Sequence, residues 1–276
     1  MFPWPFLFLT VALFTLGAAL GSFLNVLIGR TLEDTGEKQP SWISGRSRCD
    51  HCHRVLAWYE LIPLCSFLWL RGRCRSCHKP IALINPFVEF LTGTLFVWWY
   101  WGGTVFFKLT HQPLQFIQPA FWLCVGVLLL VIFVADLRYY IIPDEAVLLL
   151  TALTIMYRFV LLKTGAMQPI DFLWMVVGTF VAWGFFYGLW QGTRGRGMGF
   201  GDVKFMIPFG LLLGWPNVIV GIFIAFVSGS LVSVGLLLSK RATLKAVVPF
   251  GPFLVWATVV TLVYGDVFVQ WYRTIL

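Results

Sequence analysis

Long apolar runs constrain this chain more than any other feature. Residues 4–28 contain no charged side chain, and seven further apolar runs lie at about 83–107, 119–136, 146–163, 172–190, 205–214, 218–238 and 248–270. About 20 apolar residues span a bilayer as a helix, and a helix satisfies its own backbone hydrogen bonds in lipid. The runs therefore predict an all-α polytopic membrane protein with about eight transmembrane helices.

The composition excludes an ordinary soluble protein. Only 12% of the residues are charged, whereas soluble domains carry about 25%. The sixth run is short and contains Pro208 and Gly210, with Gly214 and Pro216 directly after it. We expect a broken or partial helix there, which a membrane tolerates only where protein or water covers the backbone.

The positive charge is explained by the membrane topology and does not indicate a nucleic-acid partner. The net charge is +8, and lysines and arginines collect on the cytoplasmic side of membrane proteins. If the N-terminus lies outside, 16 of the 20 basic residues fall on the cytoplasmic side, nine of them between residues 30 and 80. This asymmetry predicts that both termini lie outside.

The charge pattern divides the chain into three regions. Residues 1–29 form the first transmembrane helix, residues 30–82 a polar cytoplasmic insert, and residues 83–276 a transmembrane core. Within the insert, residues 58–70 are apolar, but this length of 13 residues is too short for a span. We expect this stretch to lie at the membrane interface or to pack on the helices.

Two Cys-x-x-Cys pairs in the insert predict a metal site. Cys49 and Cys52 are separated by 21 residues from Cys74 and Cys77. Four thiolates at such spacing bind zinc, and the reducing cytoplasm disfavours a disulfide. We expect one structural zinc ion on these cysteines, with redox-active or free cysteine pairs as the alternative.

The topology places two aspartates on one side of the membrane. Asp136 ends the third run, and Asp202 begins the sixth after a glycine-rich stretch. Both then lie at the cytoplasmic ends of their helices. Two adjacent carboxylates that share one proton can activate a water and polarise a peptide carbonyl, as in aspartic proteases. We expect Asp136 and Asp202 to be a catalytic pair.

The alternative is that both aspartates are ordinary charges at helix ends, with Asp202 as the N-cap of its helix. Gly199 and Gly201 favour the catalytic interpretation, because a turn without side chains lets a substrate backbone approach Asp202.

Three further charged residues are candidates for supporting roles. Asp144 competes with Asp136, but it follows Pro143 and can simply cap the fourth helix. Lys204 lies close to Asp202 in the sequence. Glu89, inside the second run, either pairs with a nearby arginine or lysine or has a role at a second site.

Several motifs occur in order along nearly the whole chain. They are 21–26 (GSFLNV), the cysteine insert with 58–63 (WYELIP) and 71–74 (RGRC), 86–89 (PFVE), Asp136 with 142–144 (IPD), 197–204 (GMGFGDVK) and 248–253 (VPFGPF). Together they resemble the bacterial type IV prepilin peptidases, whose GxGD motif holds the second catalytic aspartate. Phe200 stands at the x of this motif, where many relatives have glycine, and we expect no effect on catalysis.

The resemblance implies a bifunctional enzyme of the bacterial inner membrane that serves type IV pili or type II secretion. One activity is cleavage of the basic leader of prepilins or pseudopilins, after a glycine and on the cytoplasmic side. The other is N-methylation of the new N-terminal residue, commonly phenylalanine, with S-adenosylmethionine as methyl donor. The sequence has no glycine-rich motif of the dinucleotide-binding type, and by family position the insert and Glu89 are the candidate regions for methyl transfer.

Two other functions are compatible with a polytopic chain. A transporter would use Asp136, Asp202 and Glu89 as an ion or proton path, and the broken sixth helix as its binding site. Internal repeats and charges near the bilayer midplane would be expected, whereas the sequence has no repeat and its two key aspartates lie at one face. The third possibility is a membrane anchor for a partner bound at the cysteines.

Overall fold

The protein is described here by a computed structural model that covers residues 4–32, 46–106, 114–240, 243 and 247–275. Within these residues all regular elements are helical, apart from two isolated β-bridges in the insert. The α-helices are α1 (Trp4–Leu32), α2 (Cys65–Trp69), α3 (Ile84–Phe106), α4 (Leu114–Tyr139), α5 (Asp144–Lys163), α6 (Pro169–Gly192), α7 (Phe200–Leu213), α8 (Asn217–Leu238) and α9 (Gly251–Ile275).

The predicted fold class is confirmed. Six helices in the described part of the chain are long and apolar enough to cross a membrane: α1, α4, α5, α6, α8 and α9. Helix α3 has 23 residues and α7 has 14. Together with the six spans, these two give the expected number of about eight helices in the described part of the chain. The chain is a multi-pass membrane protein.

The chain forms two compact units, Met1–Val127 and Leu128–Leu276. In the first unit, α1 packs against α3 through glycines that bring the two backbones close together. A Cβ atom at Gly17 would lie 2.6 Å from the carbonyl oxygen of Thr92, and one at Gly21 would lie 2.9 Å from Cα of Glu89. Small residues four positions apart on one helix face permit this close packing in membranes. The three-region division proposed from the sequence stays a prediction.

Residues 58–70 form no transmembrane helix, as their length predicts. They fold into a short 3-10 helix, Trp58–Leu61, followed by the five-residue α2. The side chains of Trp58, Leu68 and Trp69 are largely exposed. The stretch is therefore a short apolar segment of the insert, suited to an interface.

In the second unit, α7 is the central helix. It packs against α5, α6, α8 and α9, and most of its residues are buried. Of the two expected forms, the partial helix is found, since α7 has only 14 residues. The break is absent, because one continuous helix runs from Phe200 to Leu213 with Pro208 inside it. The helix also begins five residues earlier than predicted, so that Asp202 lies inside its first turn. The surrounding helices cover the backbone that a proline disturbs, which explains why this helix is tolerated.

Candidate active site and cysteine cluster

Asp202 is held by the first turn of α7. Gly199 is the N-cap residue of this helix, with extended backbone angles, so Asp202 occupies the third helical position. Its carboxylate accepts a hydrogen bond from the backbone N–H of Gly199. An acidic side chain at this position satisfies a free N–H and complements the positive end of the helix dipole. The alternative in which Asp202 is the N-cap residue does not hold, because the helix begins at Phe200 and Gly199 is its N-cap.

Asp136 is held from a different helix. It lies near the end of α4, and its Oδ2 accepts a hydrogen bond of 2.8 Å from the backbone N–H of Gly251, the first residue of α9. The first N–H groups of a helix lack partners within that helix, so a carboxylate stabilises them. A Cβ atom at Gly251 would lie only 2.6 Å from this oxygen. Glycine is therefore the residue that lets α9 begin against Asp136.

The two aspartates lie close together in the interior. Asp136 is 6% exposed and Asp202 7%, and the charge of Asp136 acts on Asp202. Neither forms a salt bridge within the described residues. Burial of carboxylates without a cation is costly, which makes such a pair a feature of functional sites. Two neighbouring carboxylates that hold one proton between them can act as a general base and a general acid.

Asp144 is exposed, unlike the buried pair, and binds a lysine. It is the first residue of α5, where Pro143 is the N-cap residue, so Asp144 does not form the cap that its position in the sequence allowed. Its two carboxylate oxygens each accept a hydrogen bond of 2.7 Å from Nζ of Lys204. The Asp144 side chain is 66% exposed. This ion pair ties the start of α5 to the first turns of α7.

The two glycines beside Asp202 have different surroundings. A Cβ atom at Gly201 would lie 3.1 Å from Cβ of Ile142, so the protein itself occupies that space. The absent side chain at Gly201 thus lets α7 approach Ile142, and room for a substrate at this glycine stays a prediction. A Cβ atom at Gly199 would have Oδ2 of Asp202 as its nearest neighbour, at 3.6 Å. The absent side chain at Gly199 therefore leaves space that faces the carboxylate.

Glu89 binds a backbone N–H of the insert and not a basic side chain. Its Oε2 accepts a hydrogen bond of 2.8 Å from the N–H of Leu64, and its carboxylate also interacts with the Ser22 hydroxyl. Leu64 has a positive φ of 59°, which is uncommon for a residue with a branched side chain. Glu89 thus fixes the turn before α2 to α3, and the expected pairing with arginine or lysine is absent among the described residues.

The four cysteines of the insert form one cluster. Their Sγ atoms all lie within 4.8 Å of one another. The two pairs are folded alike, because the N–H of Cys49 binds the carbonyl of Arg54 and the N–H of Cys74 binds that of Lys79, five residues later in both cases. Isolated β-bridges close both turns, between Arg48 and Val55 and between Arg73 and Pro80. This arrangement can hold a metal ion.

Backbone hydrogen bonds favour the thiolate form of Cys74. Hydrogen bonds from the backbone N–H groups of Cys77 and Ser76 lower the pKa of the Cys74 thiol to about 6. At Cys77 the N–H of Lys79 favours the thiolate, but burial and the other three thiols raise its pKa to about 11. Metal binding requires deprotonated cysteines, so a cation bound at this cluster would release protons from the thiols.

An ion pair fixes the first cysteine turn to the 3-10 helix. Nη2 of Arg54 lies 2.6 Å from Oε1 of Glu60, and Oε2 of Glu60 accepts a hydrogen bond of 2.8 Å from the N–H of Ala57. Burial favours the neutral acid at Glu60, but these hydrogen bonds outweigh it and lower the pKa of Glu60. Glu60 lies in the 58–63 motif, so the motif has a structural role in the insert.

Three residues with clear structural roles were not recognised in the sequence. They are Gly251, Glu60 and Arg158, whose guanidinium binds the carbonyl oxygens of Leu211 and Leu212. Gly251 lies in the 248–253 motif and Glu60 in the 58–63 motif. The sequence therefore pointed to these two segments but not to the contacts that the residues make. Arg158 is a charged residue within the apolar run 146–163, and this pattern does not indicate which groups it contacts.

Comparisons with known proteins agree with this architecture. Residues 15–102 match the bacterial peptidase A24 N-terminal domain, and residues 122–234 match the type IV leader peptidase family. A prepilin leader peptidase/N-methyltransferase from Aeromonas hydrophila is 32% identical, over 99% of this chain and 95% of that protein. The protein of the same name from Legionella pneumophila is 30% identical, over 98% and 96%.

A third relative of that name, from Myxococcus xanthus, is 55% identical over 86 residues, which are 31% of this chain and 24% of that protein. No solved structure matches the chain. The two nearly full-length matches decide the assignment. By this evidence the chain belongs to the bacterial type IV leader peptidase family, the family of the prepilin leader peptidases/N-methyltransferases.

Proposed function

We propose that this protein is a bifunctional membrane enzyme that processes type IV prepilins or type II secretion pseudopilins. It cleaves the leader peptide and then methylates the new N-terminus. The names of its nearly full-length relatives support both activities. The buried pair of Asp136 and Asp202, without a basic partner in the described residues, is the observation that carries the peptidase activity. No observation favours a transporter.

Asp136 and Asp202 are the catalytic residues in this proposal. The ionised carboxylate takes a proton from a water molecule, and the resulting hydroxide attacks the scissile carbonyl carbon. The protonated carboxyl group donates its proton to the carbonyl oxygen. Collapse of the tetrahedral intermediate breaks the C–N bond, and a proton passes to the leaving amine. Since Gly251 binds Oδ2 of Asp136, we assign Oδ1 of Asp136 to the water.

In this proposal the chemistry takes place on the cytoplasmic side of the inner membrane. The insert, Asp136 and Asp202 face the cytoplasm, and both termini lie outside, in accordance with the lysine and arginine distribution. A substrate whose apolar helix lies in the bilayer then brings its leader to the depth of the two aspartates. Gly199 leaves space for the substrate backbone beside Asp202.

Zinc is the metal that we assign to Cys49, Cys52, Cys74 and Cys77. Four sulfur ligands within 4.8 Å of one another suit zinc, and the ion would supply a structural link between the two cysteine turns. S-adenosylmethionine is the proposed methyl donor, and it supplies the methyl group. We assign no residue of this chain to the donor's pocket.

A cleavage assay in membranes with a prepilin peptide tests the peptidase proposal. We expect Asp136→Asn and Asp202→Asn to abolish cleavage while the protein still accumulates in the membrane. Asp144→Asn is the matched control, because this aspartate binds Lys204 at the surface. Full cleavage by either Asp136→Asn or Asp202→Asn would show that the catalytic pair is misassigned. Transfer of a labelled methyl group to an already cleaved peptide tests the second activity separately.

A further inference from the structure

An exposed apolar stripe runs along the insert and has no role in the mechanism above. Its side chains recur at intervals of three and four positions in the 3-10 helix, in α2 and between them: Trp58, Leu61, Ile62, Cys65, Leu68 and Trp69. Trp58, Leu68 and Trp69 are 78%, 73% and 78% exposed. Large exposed apolar patches mark sites at which a protein binds another protein or a membrane. The stripe is therefore an interaction surface.

The remaining side chains of this segment are packed on the insert and on α3. Glu60 is buried, and a Cβ atom at Gly72 would lie 3.0 Å from the ring of Phe67. The backbone N–H of Leu64 donates a hydrogen bond to Glu89 of α3. The segment is thus amphipathic, with its polar contacts and close packing inside and the apolar stripe outside, as in segments that lie in the plane of a membrane interface.

The hydrogen bond between Leu64 and Glu89 indicates the depth of the segment. Glu89 is the sixth residue of α3, about 7.5 Å along the helix from its start. The 23 residues of α3 extend over about 35 Å, which is enough for a hydrocarbon core of about 30 Å. Leu64 is therefore fixed near one end of a helix of spanning length. Interfacial segments lie at this level, with their apolar face about 5–10 Å deep in the headgroup region.

Exposed apolar side chains are also found at the start of α3. Leu83, directly before the helix, and Phe87 and Phe90, in its first two turns, are exposed. Their spacing of four and three positions places them on one face of the helix. Glu89 binds Leu64 from within the same two turns. The exposed face of α3 and the segment with the stripe therefore lie at the same level along this helix.

Arginines border the stripe at both ends. The guanidinium of Arg75 lies 5.7 Å from the ring centroid of Tyr59, whose ring contacts that of Trp58. At the other end, Arg71 lies in the turn that ends α2. Residues 46–82 hold seven lysines and arginines but two acidic residues, and the net negative charge of a zinc ion on four thiolates would offset only part of this excess. The charge is complementary to an anionic lipid surface.

We propose that the stripe is a docking surface for the anionic lipid surface of the membrane that the chain spans. Trp58, Leu68 and Trp69 lie in the headgroup region, where tryptophan rings are favoured. Arg71 and Arg75 bind the phosphate groups of anionic phospholipids. The cysteine cluster is thereby held at the bilayer surface. This role goes beyond the two enzymatic activities and does not depend on them.

Photo-crosslinking tests the docking with the full chain in vesicles. The chain carries p-benzoylphenylalanine in place of Trp69, and the vesicles contain equal amounts of phosphatidylcholine and phosphatidylglycerol. Mass spectrometry identifies what is attached after illumination. The same group in place of Trp58 repeats the measurement at the other end of the stripe. In place of Asp50, an exposed residue of the insert outside the stripe, it is the matched control. We expect lipid adducts at positions 58 and 69 and few at position 50.

The lipid class of the adducts tests the two arginines. We expect phosphatidylglycerol adducts at position 69 to exceed phosphatidylcholine adducts roughly 5-fold, because one arginine near an anionic surface contributes about this factor. The double variant Arg71→Gln/Arg75→Gln should bring the ratio of the two adducts close to one. Lys163→Gln, which removes a positive charge at the end of α5, is the control and should keep the enrichment.

Three results would overturn the proposal. Adducts at position 69 with this chain or a second copy, in place of lipid, would show that protein covers the stripe. Equal lipid yields at positions 50 and 69 would show that the stripe does not face the bilayer. Equal amounts of the two lipid classes at position 69, with both arginines present, would show that anionic headgroups are not recognised. None of these measurements uses peptide cleavage, so failure of the peptidase function is a separate outcome.

Discussion

The backbone N–H of Gly251 donates a 2.8 Å hydrogen bond to Oδ2 of Asp136 across 115 positions of the chain. This contact joins the end of α4 to the start of α9, at the place where Asp202 approaches on α7. The hydrogen bond holds the Asp136 carboxylate in place, and no positively charged side chain takes part in this contact. The pair can therefore share a proton instead of being neutralised by a lysine or arginine.

Gly251→Ala is expected to abolish most of the peptidase activity. The added Cβ would lie 2.6 Å from Oδ2 and 2.9 Å from Cγ of Asp136, so the carboxylate or α9 must move. A displacement of about 1 Å at a catalytic group costs roughly 100-fold in rate. Cleavage kinetics measure the loss, and Gly188→Ala is the control, because its Cβ position has no neighbour within 4 Å. Equal rates for the two variants would contradict this role.

Removal of the Asp144–Lys204 ion pair is expected to have a small effect. Both side chains are partly exposed, 66% and 37% respectively, and exposed ion pairs contribute about 0–1 kcal/mol. Asp144→Asn and Lys204→Met should each keep cleavage within about 5-fold of the native rate, and the double variant should be no worse than the poorer single one. Abolition of cleavage by Asp144→Asn, with Asp136→Asn still active, would exchange the roles of the two aspartates.

The cysteine cluster is expected to bind about one zinc ion per chain. Cys74→Ser removes the most buried of the four sulfurs and should lower the zinc content of the purified protein to near zero. Cys65→Ser is the matched control, since Cys65 is also in the insert but lies outside the cluster. Elemental analysis measures both variants. A native protein without zinc would disprove the metal assignment.

The sequence predicted those features that depend on a local pattern of residues. Apolar run length predicted the membrane helices, and Cys-x-x-Cys spacing predicted the cluster of four sulfurs. Basic residues at helix ends predicted that Asp136 and Asp202 lie on one side of the membrane. The two carboxylates interact in the structure, and the side on which they lie stays a prediction.

Contacts between distant residues could not be predicted in this way. The partners of Asp136 and Glu89 are backbone N–H groups of Gly251 and Leu64, and any residue type except proline has such a group. The start of α7 was misplaced because glycines normally indicate a turn. Here Gly199 is the N-cap residue, and the Asp202 carboxylate offsets the poor helix propensity of the first turn.

Arg158 is expected to stabilise the helix that carries Asp202. Its Nε and Nη2 atoms donate hydrogen bonds of 3.2 Å and 2.7 Å to the carbonyl oxygens of Leu211 and Leu212, at the end of α7. The last carbonyls of a helix have no partner within it, and in the interior each unsatisfied group costs about 1–3 kcal/mol. Arg158 thus anchors one end of α7, while Asp202 lies at the other.

Arg158→Met keeps much of the apolar length of this side chain but removes both donors. We expect a clear decrease of the melting temperature in detergent and a lower yield of active protein. Arg158→Lys should recover part of the loss, because an ammonium group can reach one of the two carbonyls but lacks the planar fork of a guanidinium. Lys163→Met, at the exposed end of the same helix, is the control. A native melting temperature for Arg158→Met would mean that lipid headgroups or water satisfy these carbonyls, and that α7 is held by packing alone.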